Sequence, residues 1–225
     1  MDSSNNQIKV IEDLDIKNNS FIVIASKRNS GKTVLNKNLI KHLLDSYEYH
    51  WMVIFSDTCQ FNGDYDGIFE NEFMYKSDDL DTKIEKILSI QEKSIKKNNK
   101  NIPHGLIVLD DVKVYNRSKM LCDLAIKSRH FKISCICAVQ YCKELISSSI
   151  RSNIDYIFFS DMNENAIQSI YHSIHVPYNF KMFKKFVDDN NTNYQFIFYN
   201  SKEPDKSKRL SIVKARLFNN LKLQK

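Results

Sequence analysis

Short apolar runs alternate along the chain with longer stretches that repeat at helical spacing. The first run, Phe21-Ile22-Val23-Ile24-Ala25, leads through a polar turn into a helix expected over about 32–44, where Leu35, Leu39, Ile40 and Leu43 share one face. Trp51-Met52-Val53-Ile54-Phe55 reads as a second buried strand. Residues 56–67 hold two of the four glycines among several Asp and Asn, the signature of a loop. An amphipathic helix is expected over 79–97, with Ile84, Ile87, Leu88 and Ile95 on one side, ended by Asn98-Asn99-Lys100-Asn101 and Pro103. Leu106-Ile107-Val108-Leu109 and residues 133–139 read as core strands, with a helix near 118–128 between them and another near 143–150 after the second. A strand over 154–159, helical pattern over 163–172 and 180–187, and a late strand at 194–199, at a sheet edge, complete the series. Near-continuous apolar strands alternating with helices predict an α/β fold, a mostly parallel sheet with helices on both faces.

Composition narrows the class. A chain of 225 residues with 42% hydrophobic and 27% charged side chains suits one globular domain and excludes wholesale disorder, collagen and coiled coil. No apolar run approaches the roughly 18 residues of a membrane span, and Met1 to Asn6 is polar, so neither a membrane segment nor a leader is expected. Cys59, Cys122, Cys135, Cys137 and Cys142 lack paired metal-ligand spacing and read as small hydrophobes in a reducing compartment. His130, His172 and His175 likewise have no ligand partner at useful spacing.

The net charge of +6 is unevenly placed. Residues 179–225 carry eleven Lys/Arg against four Asp/Glu, whereas the first 178 residues carry 22 against 23. That basic end is either a solvated lysine-rich surface or a segment facing a polyanion. The domain plan is an N-terminal extension over 1–19, a core domain over 20–200 and a basic tail over 201–225.

The candidate chemistry begins at the first strand–helix junction. Ser26-Lys27-Arg28-Asn29-Ser30-Gly31-Lys32-Thr33 has the context of a P-loop, in which successive backbone N–H groups and a helix N-terminus wrap a phosphate chain. Lys32 would reach the β- and γ-phosphates of ATP, and the Thr33 hydroxyl would ligate Mg²⁺. Ser26 stands where a glycine is usual, and a positive φ there would be mildly disfavoured for serine. Asp110-Asp111 ends the apolar strand as a Walker B pair: Asp110 for Mg²⁺, Asp111 to orient or deprotonate the attacking water. The bland reading of the pair is a turn opener. Gln140, at the tip of the 133–139 strand, is either a phosphate sensor or a strand cap. Arg28, Arg129 and Arg151 are the candidates for a transition-state finger, and spacing does not choose among them.

Together these residues resemble a known family. The set comprises Ile24 to Thr33, Val108-Leu109-Asp110-Asp111-Val112, Ser128-Arg129-His130-Phe131, Val139-Gln140 and Ile150-Arg151-Ser152-Asn153-Ile154-Asp155. Its order and spacing, with Phe55-Ser56-Asp57-Thr58, are similar to the genome-packaging ATPases of large nucleocytoplasmic DNA viruses and virophages, in the FtsK–HerA group of P-loop motors. The resemblance covers about residues 20–160 and implies an additional-strand P-loop fold of RecA/FtsK–HerA type. It implies an ATP-driven homo-oligomeric ring that moves double-stranded DNA into a capsid, with capsid or portal-vertex proteins as partners. It also implies a setting in the cytoplasmic factory of the infected cell or with the virion. By carry-over Lys32 and Thr33 bind phosphate and Mg²⁺, Asp110 and Asp111 form Walker B, Gln140 is the sensor, and Arg151 comes before Arg129 as a finger acting in trans. The alternatives are a P-loop nucleoside or nucleotide kinase and a non-hydrolysing nucleotide-binding module.

Overall fold

A computed structural model describes residues 8–97, 101–112, 119–140, 148–190 and 194–217. Its strands are β1 (Phe21–Ser26), β2 (Trp51–Phe55), β3 (Met74–Tyr75), β4 (Gly105–Asp110), β5 (Ile133–Val139), β6 (Tyr156–Ser160), β7 (Gln195–Asn200) and β8 (Leu210–Lys214). The helices are α1 (Lys32–Ser46), α2 (Cys59–Asn62), α3 (Leu80–Lys96), α4 (Lys119–Lys127), α5 (Ser148–Arg151), α6 (Glu164–Tyr171) and α7 (Phe180–Asn190). Residues 98–100, the expected helix start at Ser118, residues 143–147, Cys142 and the last eight residues of the basic end lie outside the described residues.

The strands form one sheet in the order β3-β2-β4-β5-β1-β6-β7-β8. The first six are parallel to their neighbours, and β7 and β8 run antiparallel. Because β1, β4 and β5 are buried on both faces, they read as unbroken apolar runs. Alternate residues feed two cores. Phe21, Val23 and Ala25 face α3, α4, α6 and α7, while Ile22 and Ile24 face Leu35, Leu39, Ile40 and Leu43 of α1. Gly105 of β4 lies under the Trp51 ring, where a Cβ would come within 1.9 Å of Trp51 Cζ2, so only glycine fits there.

The chain ends depart from the expected plan. β8 lies inside the segment read as a tail, so β7 is flanked on both sides and β8 is the edge. Its Ile212 and Val213 reach opposite cores, but they stand among lysines and arginines that mask the period of two. At the other end Ile11, Leu14 and Ile16 are buried against the α1 face, and Lys9 pairs with Val213. Both termini of the described chain are thus built into the domain rather than appended to it. The 56–67 loop contains α2, and the two-residue β3, too short for a pattern, was not expected. Among the described residues no helix is long and apolar enough to cross a membrane. Of the cysteines described, Cys59, Cys135 and Cys137 are buried and Cys122 is partly buried.

Candidate nucleotide site

Register brings the site together. β5 lies between β1 and β4, with Ala25 level with Val139 and Asp110 level with Ala138. Three neighbouring parallel strands therefore deliver the Ser26 loop, Gln140 and the Asp110–Asp111 pair to one edge, the carboxyl end of the sheet, where ligands gather in such folds.

The loop between β1 and α1 closes on itself. Ser26 Oγ and Ser30 Oγ are 2.6 Å apart, and Ser30 Oγ donates to the Lys27 carbonyl at 2.7 Å. Asn29 (φ 61°) and Gly31 (φ 89°) take left-handed conformations, the kind of turn from which anion-binding nests are built. Ser26 has no positive φ; it is the last residue of β1, and serine there carries no backbone strain. Gly31 is the N-cap of α1, so Lys32 and Thr33 occupy its first turn, with the positive helix end aimed at the loop. Lys27 is tied to Asp161, after β6, at 3.0 Å.

Lys32, only 6% exposed, pairs with Asp111 Oδ1, while Gln140 Nε2 donates to Asp111 Oδ2 at 3.1 Å. Asp111 has φ 50°, a left-handed turn out of β4 that lets its N–H donate to the Ala138 carbonyl at 3.0 Å. Lysine, carboxylate and amide thus form one chain of contacts.

Asp110 is held differently. Its Oδ2 accepts a hydrogen bond from the Tyr65 hydroxyl at 2.7 Å, and Tyr65 in turn accepts from Asn36 Nδ2 at 2.8 Å. Its Oδ1 is buried without a hydrogen-bond partner. Burial pushes the Asp110 carboxyl up to about 6, opposed by the Tyr65 hydrogen bond and reinforced by the charge of Asp111. Burial, with Asp110 beside it, likewise drives the Tyr65 hydroxyl well above its ordinary value, so it remains a donor at any working pH. Asp110 and Thr33 line the same cleft, of about 450 Å³, with Lys32, Asp111, Asn62 and Asp64. An orphaned buried carboxylate oxygen beside a hydroxyl and a phosphate loop fits Mg²⁺, which takes few protein ligands and completes its shell with water and phosphate.

Of the three candidate arginines, Arg28 lines this cleft. Arg129 approaches Asp155 Oδ1 at 3.8 Å, and the Asp155 carboxylate accepts the Phe21 N–H at the start of β1. Arg151 precedes Asp155 by four residues, so both lie at the amino end of the sheet, across the length of β1 from the loop of the same chain.

Tyr65, Asn36 and Tyr194, which rests on Gly31, were not anticipated. Asn36 left a trace in the sequence: it is a polar residue on the apolar face carrying Leu35, Leu39, Ile40 and Leu43. Tyr65 stood among loop residues, and nothing in its spacing marked it as fully buried at 1% exposure.

Over residues 11–217 the chain matches the family described as Poxvirus A32 protein. It is 28% identical over 193 residues to the uncharacterized protein 075L of Invertebrate iridescent virus 6, across 83% of this chain and 72% of that protein. Its fold is similar to that of the genome packaging NTPase B204 from Sulfolobus turreted icosahedral virus 2 in complex with sulfate, at a TM-score of 0.63 and 16% identity over 91% of this chain and all of B204. It is also similar to ATPases 2 and 3 of EssC from Geobacillus thermodenitrificans, at a TM-score of 0.61 and 11% identity over 91% of this chain and 41% of that one. At such identities the structures establish the fold alone, a mostly parallel α/β sheet with helices on both faces. With the family match running through nearly all of the described residues, the chain belongs to the Poxvirus A32 protein family.

Proposed function

We propose that this protein is the ATP-hydrolysing motor that moves double-stranded viral DNA into the capsid. One observation carries the hydrolytic part: three adjacent strands bring Lys32, Asp110, Asp111 and Gln140 to the mouth of a phosphate loop. The loop N–H groups and Lys32 take the phosphates of ATP, and Thr33 and Asp110 hold Mg²⁺. Held by Thr33 and Asp110, Mg²⁺ would supply positive charge to offset the charge of the phosphates. Phosphate competes with Asp111 for the Lys32 ammonium, which leaves the Asp111 carboxylate to orient the attacking water and accept its proton, while the Gln140 amide fixes its position.

The family and the B204 likeness support the packaging role. In a homo-oligomeric ring, Arg151 of one subunit acts on the nucleotide of the next. Its place at the far end of the sheet from its own loop supports action in trans rather than in cis. The basic end contacts DNA phosphates without reading bases, and the motor works at the site of virion assembly in the infected cell against capsid or portal-vertex proteins.

The test is ATP hydrolysis with and without double-stranded DNA, measured beside the oligomer mass. Turnover that rises with DNA in an assembled ring is expected. Phosphoryl transfer to a nucleoside, independent of DNA, would assign a kinase instead. Mixing Arg151→Ala subunits with Asp111→Asn subunits should restore part of the activity; no rescue at any ratio in assembled rings would remove Arg151 from the mechanism.

A further inference from the structure

The phosphate cleft continues past its own loop. Beyond Gly31, Val34 and Tyr194 lies a second cavity of about 960 Å³, and these three residues line both. The remaining walls of the second cavity are mostly aliphatic, Ile8 and Val10 from the N-terminal segment with Ala215 and Leu217 from the stretch after β8, and Lys214 and Arg216 complete the lining.

Those walls are fastened. The main chain of Lys9 is bonded to β8 on both sides, donating to the Ile212 carbonyl at 2.9 Å and accepting from the Lys214 N–H at 2.9 Å. Asn38 of α1, 3% exposed, spends both ends of its amide on Arg216: Nδ2 donates to the Arg216 carbonyl at 2.9 Å, and Oδ1 accepts the Arg216 N–H at 2.9 Å. A buried asparagine that meets a main chain in both senses fixes its place, so the segment after β8 stands at a set distance from the first turn of α1. Tyr194 is 64% exposed, has φ 58°, and lies so close to Gly31 that a Cβ there would come within 3.1 Å of Tyr194 Cδ1. It is a positioned aromatic ring, largely exposed among the described residues.

We infer that this second cavity is the nucleoside subsite, with Tyr194 as the stacking surface for the base and Val34, Ala215 and Leu217 as its apolar walls. The inference rests on the nucleotide reading above, and continuity carries it: phosphates anchored at Gly31–Thr33 leave the ribose and base within reach of the cavity that shares Gly31. The size is that of a small-molecule site. Mostly aliphatic walls and a ring face grip a base through its π-surface, which every base has, so the site discriminates weakly between purines.

Calorimetric titration of wild type, Tyr194→Ala and Tyr194→Phe with ATPγS, GTPγS and inorganic tripolyphosphate, all with Mg²⁺, separates the possibilities. For wild type, ATPγS and GTPγS affinities are expected within about threefold of each other, and Tyr194→Ala weakens both by about tenfold. Tripolyphosphate affinity stays within about twofold in every variant, which also shows that the loop remains folded, and Tyr194→Phe keeps wild-type affinities because the ring and not the hydroxyl is used. Equal weakening of tripolyphosphate and nucleotide by Tyr194→Ala would overturn the proposal, placing the effect on Gly31. So would unchanged nucleotide affinity, or a wild-type preference for one purine by about a hundredfold. A change of oligomer mass in Tyr194→Ala with nucleotide affinity intact would give the cavity to a neighbouring subunit. Binding of neither nucleotide nor tripolyphosphate by wild type would refute the ATPase reading itself, and this subsite with it.

Discussion

Two aspartates, each 6% exposed, stand at opposite ends of the same sheet and meet opposite surroundings. Asp155, at the amino end, accepts the Phe21 N–H at 2.8 Å and has Lys202 at 3.4 Å and Arg129 at 3.8 Å. Its charge is compensated by the fold. Asp110, at the carboxyl end, has a neutral tyrosine hydroxyl on one oxygen and nothing on the other, and burial holds its carboxyl up at about 6. Burial is the same for both; completeness of pairing differs. A buried carboxylate whose partners are all protein groups holds strands together, whereas one left short of partners suits the role proposed for Asp110, that of a cation ligand.

The comparison is broken most severely through Lys32. Lys32→Ala is expected to lower ATP turnover by about a thousandfold while leaving the circular dichroism spectrum folded, since it removes the phosphate contact and not a core side chain. Turnover within tenfold of wild type would place hydrolysis elsewhere.

The two aspartates should then answer to substitution with opposite signs. Asp155→Ala strands the Phe21 N–H and is expected to lower unfolding free energy by about 2–3 kcal/mol. Asp110→Asn is expected to cut turnover by about a hundredfold yet raise the stability of the nucleotide-free protein. The sign follows from linkage: a carboxyl whose folded pKa is raised, from 3.8 to about 6, contributes stability below pH 4 that is lost as pH rises through 6. Removing that ionisation should therefore recover about 1–3 kcal/mol at pH 8 and nothing at pH 4, measured by urea unfolding at both pH values. A pH-independent effect would refute the assignment.

Smaller effects sharpen the contrast. Tyr65→Phe deletes the hydroxyl that orients Asp110 and is expected to raise the Mg²⁺ concentration for half-maximal turnover about tenfold, as loss of an outer partner of a metal ligand does. An unchanged Mg²⁺ requirement would make the contact purely structural. Ser26→Gly should change nucleotide affinity less than twofold and cost about 0.5–1 kcal/mol of stability, because Ser26 is an extended strand residue bonded to Ser30 and glycine adds only unfolded-chain freedom. A large gain in affinity would mean that serine strains the loop.

The sequence disclosed the parts of this site that depend on local order. An apolar strand, a polar turn with Gly31-Lys32-Thr33, and a helix form whatever lies around them, and the paired aspartates mark the end of a buried run. The level at which Gln140 meets Asp111 follows from the order and register of the strands, which the sequence does not state. Tyr65 was illegible because its role depends on the polar loop after β2 bringing its hydroxyl to Asp110 at the end of β4, a tertiary event with no period of its own. β8 was hidden by its charges: Lys208 and Arg209 precede, and Lys214 ends, a five-residue strand in which Ile212 and Val213 are buried and Leu210 packs partly buried against the core. The basic end therefore combines an edge strand with cationic surface, and its charge and its fold are the same segment.

The most direct test of the central contrast is the melting temperature of wild type and Asp110→Asn at pH 8, each alone, with Mg²⁺, with ATPγS and with both. Alone, Asp110→Asn should melt higher, by several degrees for about 1–3 kcal/mol in a chain of this size. With Mg²⁺ and ATPγS together the order should reverse, because only wild type gains the linked binding of the ion. An Asp110→Asn protein that melts lower alone and keeps the full rise with Mg²⁺ and ATPγS would contradict the account.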